Sequence, residues 1–331
     1  MVFSTEVGIP EFHWSIDYST GVMFVGSCFS DNIGQKLNAL KFAVDVNPFG
    51  VLYNPVSIAN SLELLTNKTV FGASDLFHDK GLWNSFFHHS SFSDADLDVV
   101  LNRINCQIQT SSQFLKDADF LMLTFGTAWV YQLKGTDQVV SNCHKVSASQ
   151  FTRRRLSVAE VVAVYKKLLE ELWKFNPKLK IVFTVSPIRH WKDGAVENQI
   201  SKATLVLAID ELIRTFSYKA SAYFPAYELV MDELRDYRYY AADMIHLSEV
   251  AIDYVFERFS NALISKEALK TGARIEKLRK AMNHRPFKTD SAEYKRFVES
   301  NIQDIKALET LYPTVNFDEE LSFFESKFQS L

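Results

Sequence analysis

Two short elements of this chain carry side chains that could perform covalent chemistry together. An apolar run, Gly21-Val-Met-Phe-Val-Gly26, stops abruptly and is followed by two nucleophiles, Ser27 and Cys28. Far down the chain, Asp243-Met-Ile-His246 offers a carboxylate three residues before an imidazole. A thiol or hydroxyl can attack an acyl carbonyl if a neighbouring imidazole takes its proton. A carboxylate that accepts the other imidazole N–H fixes the tautomer and aims the ring. Free cysteine has a pKa of about 8.5, which a helix N-terminus and a nearby histidine lower. Either Cys28 or Ser27 fits the role of nucleophile. Each residue also has a structural reading: Ser27 as a helix cap with Cys28 as a small apolar side chain, Asp243 in solvent, and His246 under a helix.

These side chains need a frame. Val22 to Val25 reads as a buried strand and Phe29 to Leu40 as an amphipathic helix, so the nucleophiles lie on a strand–turn–helix junction. Val44 to Val46 is a further strand, and Asn54-Pro55 opens a helix to about Leu65. Leu82 to Phe92 is aromatic and irregular, and a helix begins near Asp94. Phe120 to Thr124 and Ile181 to Val185 are strong strands, with a hairpin at Trp129 to Leu133 and Val139 to Ser141 between them. Ser157-Val-Ala-Glu160 is a capping box. Asn198 to Phe216 is helical, Ala222 to Phe224 is a short strand, and Ser248 starts another helix. Alternating strands and helices predict a parallel sheet of about five strands between helical layers. From Lys266 the pattern has no strands and predicts two or three helices.

The string Gly26-Ser27-Cys28-Phe29-Ser30, joined with the late Asp243-Met-Ile-His246, resembles the motifs of the GSCFA family, a branch of the SGNH (GDSL-type) hydrolases. Asn47-Pro48-Phe49-Gly50, Asn142-Cys143-His144-Lys145, Ser186 to Gly194 and Asn198 to Lys202 resemble further family segments. The resemblance implies a three-layer α/β/α, flavodoxin-like domain over residues 1–265, with a helical C-terminal extension over 266–331. It implies an esterase or deacylase, with acyl transfer to an acceptor other than water as a variant. A ligand-binding module on a degenerate hydrolase fold is the alternative. It places Cys28 at the usual serine position and Ser27 at the usual aspartate position, with Asp243 and His246 completing the set. The oxyanion donors it implies are the N–H groups of Cys28, Gly50 and Gly126. The family's third block should read Gly-x-Asn, whereas here Gly126-Thr127-Ala128 has alanine at the asparagine position; Asn142 and His190 are candidate replacements. Asn47, His89, Asn142, Arg189 and His190 are expected around the substrate.

Other features narrow the reading by exclusion. His88, His89, Cys143 and His144 do not have zinc-site spacing, so neither a metal nor a cofactor is expected. Arg153-Arg154-Arg155 and the basic stretch Lys270 to Lys280 lack interleaved aromatics and read as solvated helix ends rather than a nucleic-acid surface. The net charge of −4 gives no drive toward nucleic acid or an anionic membrane. No apolar stretch approaches about 18 residues, and the first basic residue is Lys36, unlike a secretory signal. Three cysteines are too few and too odd for a disulfide framework. These features suit a cytoplasmic protein acting on a small or acylated substrate, away from membranes and nucleic acid.

Overall fold

The computed structural model describes residues 5–286 and 291–329. Its strands are β1 (Gly21–Gly26), β2 (Ala43–Val46), β3 (Phe77–Asp79), β4 (Leu82–Asn84), β5 (Phe120–Phe125), β6 (Trp129–Leu133), β7 (Val139–Val140), β8 (Phe151–Arg155), β9 (Lys180–Val185) and β10 (Ser221–Tyr223). The helices are α1 (Cys28–Ala39), α2 (Pro55–Thr66), α3 (Leu97–Asp117), α4 (Val158–Phe175), α5 (Gly194–Thr215), the single turn α6 (Ala226–Glu228), α7 (Glu249–Leu263), α8 (Lys266–Met282), α9 (Ala292–Leu311) and α10 (Asp318–Gln329).

Five strands form one parallel sheet in the order β10-β9-β5-β1-β2. Read from the other edge, that is the flavodoxin-like order 2-1-3-4-5, whose switch point lies between β1 and β5. Strand alternation separates two cores. Met23 and Val25 of β1, with Leu121, Leu123 and Phe125 of β5, pack against the apolar faces of α2, α3, α4 and α5. Val22, Phe24, Phe120 and Met122 pack the other way, against α1 and α7. That second core continues without a break into α8, α9 and α10 through Leu278, Val298, Ile305 and Phe324. Lys41 reaches Glu320 at 3.0 Å, and the Tyr18 and Tyr312 rings lie 4.8 Å apart. The C-terminal helices therefore brace the sheet face opposite α2 to α5. No helix among the described residues is long and apolar enough to cross a membrane.

Local signals place most elements where the sequence puts them. Asn54 Oδ1 caps α2 through Ser57 N–H at 2.9 Å, and Ser157 and Glu160 form their reciprocal box on α4. Two expectations change. Helix α5 starts at Gly194, four residues before Asn198, because Asn198 Oδ1 is spent on the His190 N–H of the preceding loop rather than on a cap. Arg153 to Arg155 are no helix end but lie in β8, the third strand of a small antiparallel sheet with β6 and β7. There, Arg153 and Arg155 lie over the Trp129 ring and pair with Asp193 and Glu197. The irregular stretch after Leu82 begins with a short hairpin, β3 against β4.

The close of β1 is the tightest point of the sheet. Gly26 has φ +149, and a Cβ there would lie 2.3 Å from the Thr124 carbonyl oxygen of β5. A side chain at residue 26 must push β1 from β5 where the nucleophile turn begins. Gly26→Ala is expected to cost more than about 2 kcal/mol of unfolding free energy, read from the urea midpoint at unchanged slope.

Candidate active site

The strand-to-helix turn separates its two nucleophiles. Ser27 is 1% exposed and caps α1, its Oγ accepting the Phe29 N–H at 3.3 Å. Cys28, the first helical residue, is only partly buried. Both border a cavity of about 560 Å3 at the carboxyl edge of the sheet, beside the switch point. Burial pushes the Cys28 thiol up and Asp31 adds to this. The N–H groups of Cys28 and Phe29 and the Lys202 ammonium pull the other way.

The histidine comes from the loop before α7. His246 Nδ1 bonds Asp243 Oδ2 at 2.5 Å, while Asp243 Oδ1 accepts the N–H groups of Ile245 and His246, each at 2.9 Å. Met244 takes φ +58 to close this turn. The imidazole and those two N–H groups hold the Asp243 carboxyl down to about 2, so it is ionised throughout the neutral range. The turn leaves Nε2 as the other face of an oriented imidazole, and His246 lines the same cavity as Cys28.

The oxyanion expectations need correction. Gly50 donates its N–H to Asn47 O at 2.7 Å, and Gly126 donates to Tyr53 O at 2.8 Å, so both donors are already spent. Ala128 N–H is bound by Ser201 Oγ at 2.8 Å. Gly50, at φ +74, has a packing role: a Cβ there would lie 2.2 Å from His89 Cβ. The neighbouring Val51 lines the cavity, and its N–H has no acceptor among the described residues. Asn47, expected to meet substrate, is buried beneath the turn instead. Its Oδ1 accepts the Gly26 N–H at 2.8 Å and its Nδ2 donates to Asp31 at 2.6 Å.

His89, Asn142, Arg189 and His190 do border the cavity. His89 is fixed by its N–H to Phe49 O at 2.8 Å, and Asn142 Oδ1 holds the His144 N–H at 2.8 Å. Burial, helped by the Lys202 and Arg153 charges, pushes the His190 imidazole down to about 4, so it is neutral at pH 7. His88 stacks on Phe49 at 4.6 Å and His144 Nε2 meets Ser85 O at 2.8 Å, which turns both rings to structural use. Among the described residues, no three His, Cys, Asp or Glu side chains are grouped to hold a metal.

This architecture meets a family profile over most of its length: the profile described as GSCFA family matches residues 21–259. The chain belongs to the GSCFA family. A second profile, the C-terminal domain of GSCFA domain proteins, matches residues 275–330. No curated protein matches the sequence. Similar solved structures are esterases at low identity. One is an acetyl esterase variant with acetate: 10% identity, TM-score 0.36, covering 73% of this chain and 95% of that one. Another is a carbohydrate esterase of family 3 from Talaromyces cellulolyticus: 9% identity, TM-score 0.35, covering 73% and 95%. A family 2 carbohydrate esterase with its carbohydrate-binding domain, from Corynascus thermopiles (Myceliophthora fergusii), gives 11% and 0.39, covering 78% and 67%.

Sequence reasoning missed one charged residue of this GSCFA site. Lys202, on α5, is 0% exposed. Its Nζ donates to Gly126 O and Ser186 O, each at 2.6 Å, and so ties together the chain just beyond β5 and β9. It has no carboxylate partner among the described residues. Burial pushes its ammonium down to about 7, and the nearby Cys28 opposes that shift. A lysine in register with Leu205, Ile209 and Leu212 along a helix was the available signal. Removing this cation removes a charge that favours the thiolate, so the Cys28 pKa must rise. In Lys202→Met, alkylation of Cys28 by iodoacetamide at pH 6, below the Lys202 pKa of about 7, is expected to slow several-fold, with the difference shrinking above pH 8 as Lys202 loses its proton. Mass spectrometry of the Cys28 peptide reads it, with exposed Cys106 as the internal control.

Proposed function

We propose that this GSCFA protein cleaves esters by acyl transfer to Cys28. The observation that carries the reading is that Cys28, at the start of α1, and His246, oriented by Asp243, border one cavity. Both residues border the cavity, and Cys28 is favoured over Ser27 because Ser27 is 1% exposed with its Oγ accepting the capping bond, whereas Cys28 is only partly buried.

The chemistry follows from those positions. His246 Nε2 takes the thiol proton as Sγ attacks the acyl carbonyl carbon. The tetrahedral oxyanion is held by the N–H groups of Cys28 and Val51, in place of the Gly50 and Gly126 donors that are already bonded. Collapse breaks the C–O bond, and the alcohol leaves with the proton from His246, giving a thioester on Cys28. Water, deprotonated by His246, then releases the acid and regenerates the thiol. An alcohol or amine in place of water would make the same site a transferase.

Hydrolysis of an activated short-chain acyl ester tests this. Cys28→Ala and His246→Ala are each expected to lower kcat/KM by at least about 10³. Ser27→Ala is expected to retain most activity per folded molecule while losing about 1 kcal/mol of stability as the cap is lost. Loss of turnover in Ser27→Ala with Cys28→Ala active would assign the attack to Ser27 instead. Turnover undiminished in His246→Ala would overturn the mechanism.

A further inference from the structure

Among the described residues, no aspartate or glutamate lines the cavity beside Cys28 and His246, yet Arg153, Arg189 and Lys192 all border it. The three cations differ in how they are answered. Arg153 is neutralised by Asp193 through its two terminal guanidinium nitrogens, although its Nε, like that of Arg189, is buried without a hydrogen-bond partner. Lys192 donates to the Tyr131 hydroxyl, lies over that ring and feels the Asp193 charge, with no ion pair among the described residues. Arg189 has no ion pair among the described residues. Its guanidinium lies 4.8 Å from the Trp191 ring centroid and 5.3 Å from that of Tyr240, and its buried Nε has no hydrogen-bond partner.

Two aromatic faces therefore hold a guanidinium that has given up water on part of its surface without gaining an acceptor. Ring faces orient the planar fork but do not satisfy its in-plane donors. A guanidinium so placed matches a carboxylate or phosphate, which can accept two parallel N–H bonds. A neutral ligand that filled the cavity would displace water and leave the charge unanswered, whereas an anionic one would answer it.

We propose that Arg189, with Lys192 beside it, forms an anion subsite, and that the substrate carries a carboxylate or phosphate group away from its scissile ester. The subsite deepens the acyl-transfer reading, on which it rests only for which bond is cleaved.

Calorimetry with benzoate, phenyl phosphate and the neutral isostere benzamide reads the subsite without turnover, since none has an acyl ester to cleave. In the wild type, at least one anion is expected to bind ten-fold or more tighter than benzamide, roughly one charge-assisted hydrogen bond. Which anion is preferred distinguishes a carboxylate from a phosphate ligand. The preference is expected to fall to within about two-fold in Arg189→Gln and to survive in part in Arg189→Lys and Lys192→Gln. Because the ratio is taken within each variant, a loss of active fraction does not mimic the result. The bound anion is also expected to slow alkylation of Cys28, which assigns it to this cavity. Equal or absent binding of all three ligands in the wild type would overturn the proposal, as would an undiminished preference in Arg189→Gln or Cys28 alkylation indifferent to the anion. Loss of ester hydrolysis with the anion preference intact would instead count against the acyl-transfer reading alone.

Discussion

The buried Asn47 amide holds the nucleophile turn in shape. Its Oδ1 takes the last N–H of β1, at Gly26, and its Nδ2 takes Asp31 in the first turn of α1. Its backbone N–H goes to Phe24 O and its carbonyl receives Gly50 N–H. A single side chain thus clamps the end of a strand, the start of a helix and the loop after β2. Buried polar groups of this kind are costly unless all are bonded, and here both ends of the amide are. Asn47 sits at φ +48, a conformation asparagine tolerates better than most residues. The residue that looks like a substrate contact in the sequence is therefore part of the frame that sets where Cys28 lies.

A second polar tie works from the other side of the cavity. Lys202 ties the chain leaving β5 and β9 by donating to the carbonyls of Gly126 and Ser186. Those carbonyls stand just past strand ends, where the ladder no longer supplies donors. The side chain satisfies both and, when protonated, carries a charge that Cys28 feels and that has no carboxylate partner among the described residues. Structure and reactivity are joined in this residue: the contacts that hold the loops also bias the thiol toward its anion. Burial outweighs that bias at Cys28, with Asp31 adding to it, so the thiol lies above its ordinary pKa rather than below it as the helix start suggested.

Loop commitments also explain why a motif can match while its donors do not. The resemblance implied Gly50 and Gly126 as oxyanion donors, but their N–H groups close local turns onto Asn47 and Tyr53. Glycine is needed at both for contact reasons: His89 crowds Gly50, and Tyr53 O would lie 2.9 Å from a Cβ on Gly126. Residue type in such a loop reports how closely another segment approaches, and only the direction of the N–H reports whether it can serve an oxyanion.

The sequence by itself determined the parallel sheet, the strand–turn–helix carrying Ser27 and Cys28, and the local Asp243–His246 pair. These rest on short-range physics: apolar periodicity, caps such as Asn54 and Ser157, and a three-residue spacing that closes its own hydrogen bond. The tertiary structure decided what depends on segments distant in the chain. It assigned Ser27 to the cap, spent the Gly50 and Gly126 donors, moved Asn47 into the frame and put Arg153 to Arg155 on a strand against Trp129. It also set Lys202 against the Gly126 and Ser186 carbonyls and left Arg189 against two rings without a carboxylate partner among the described residues. A hydrogen-bond donor or a charge is defined by what answers it, and for these residues the answer comes from parts of the chain that sequence spacing does not bring together.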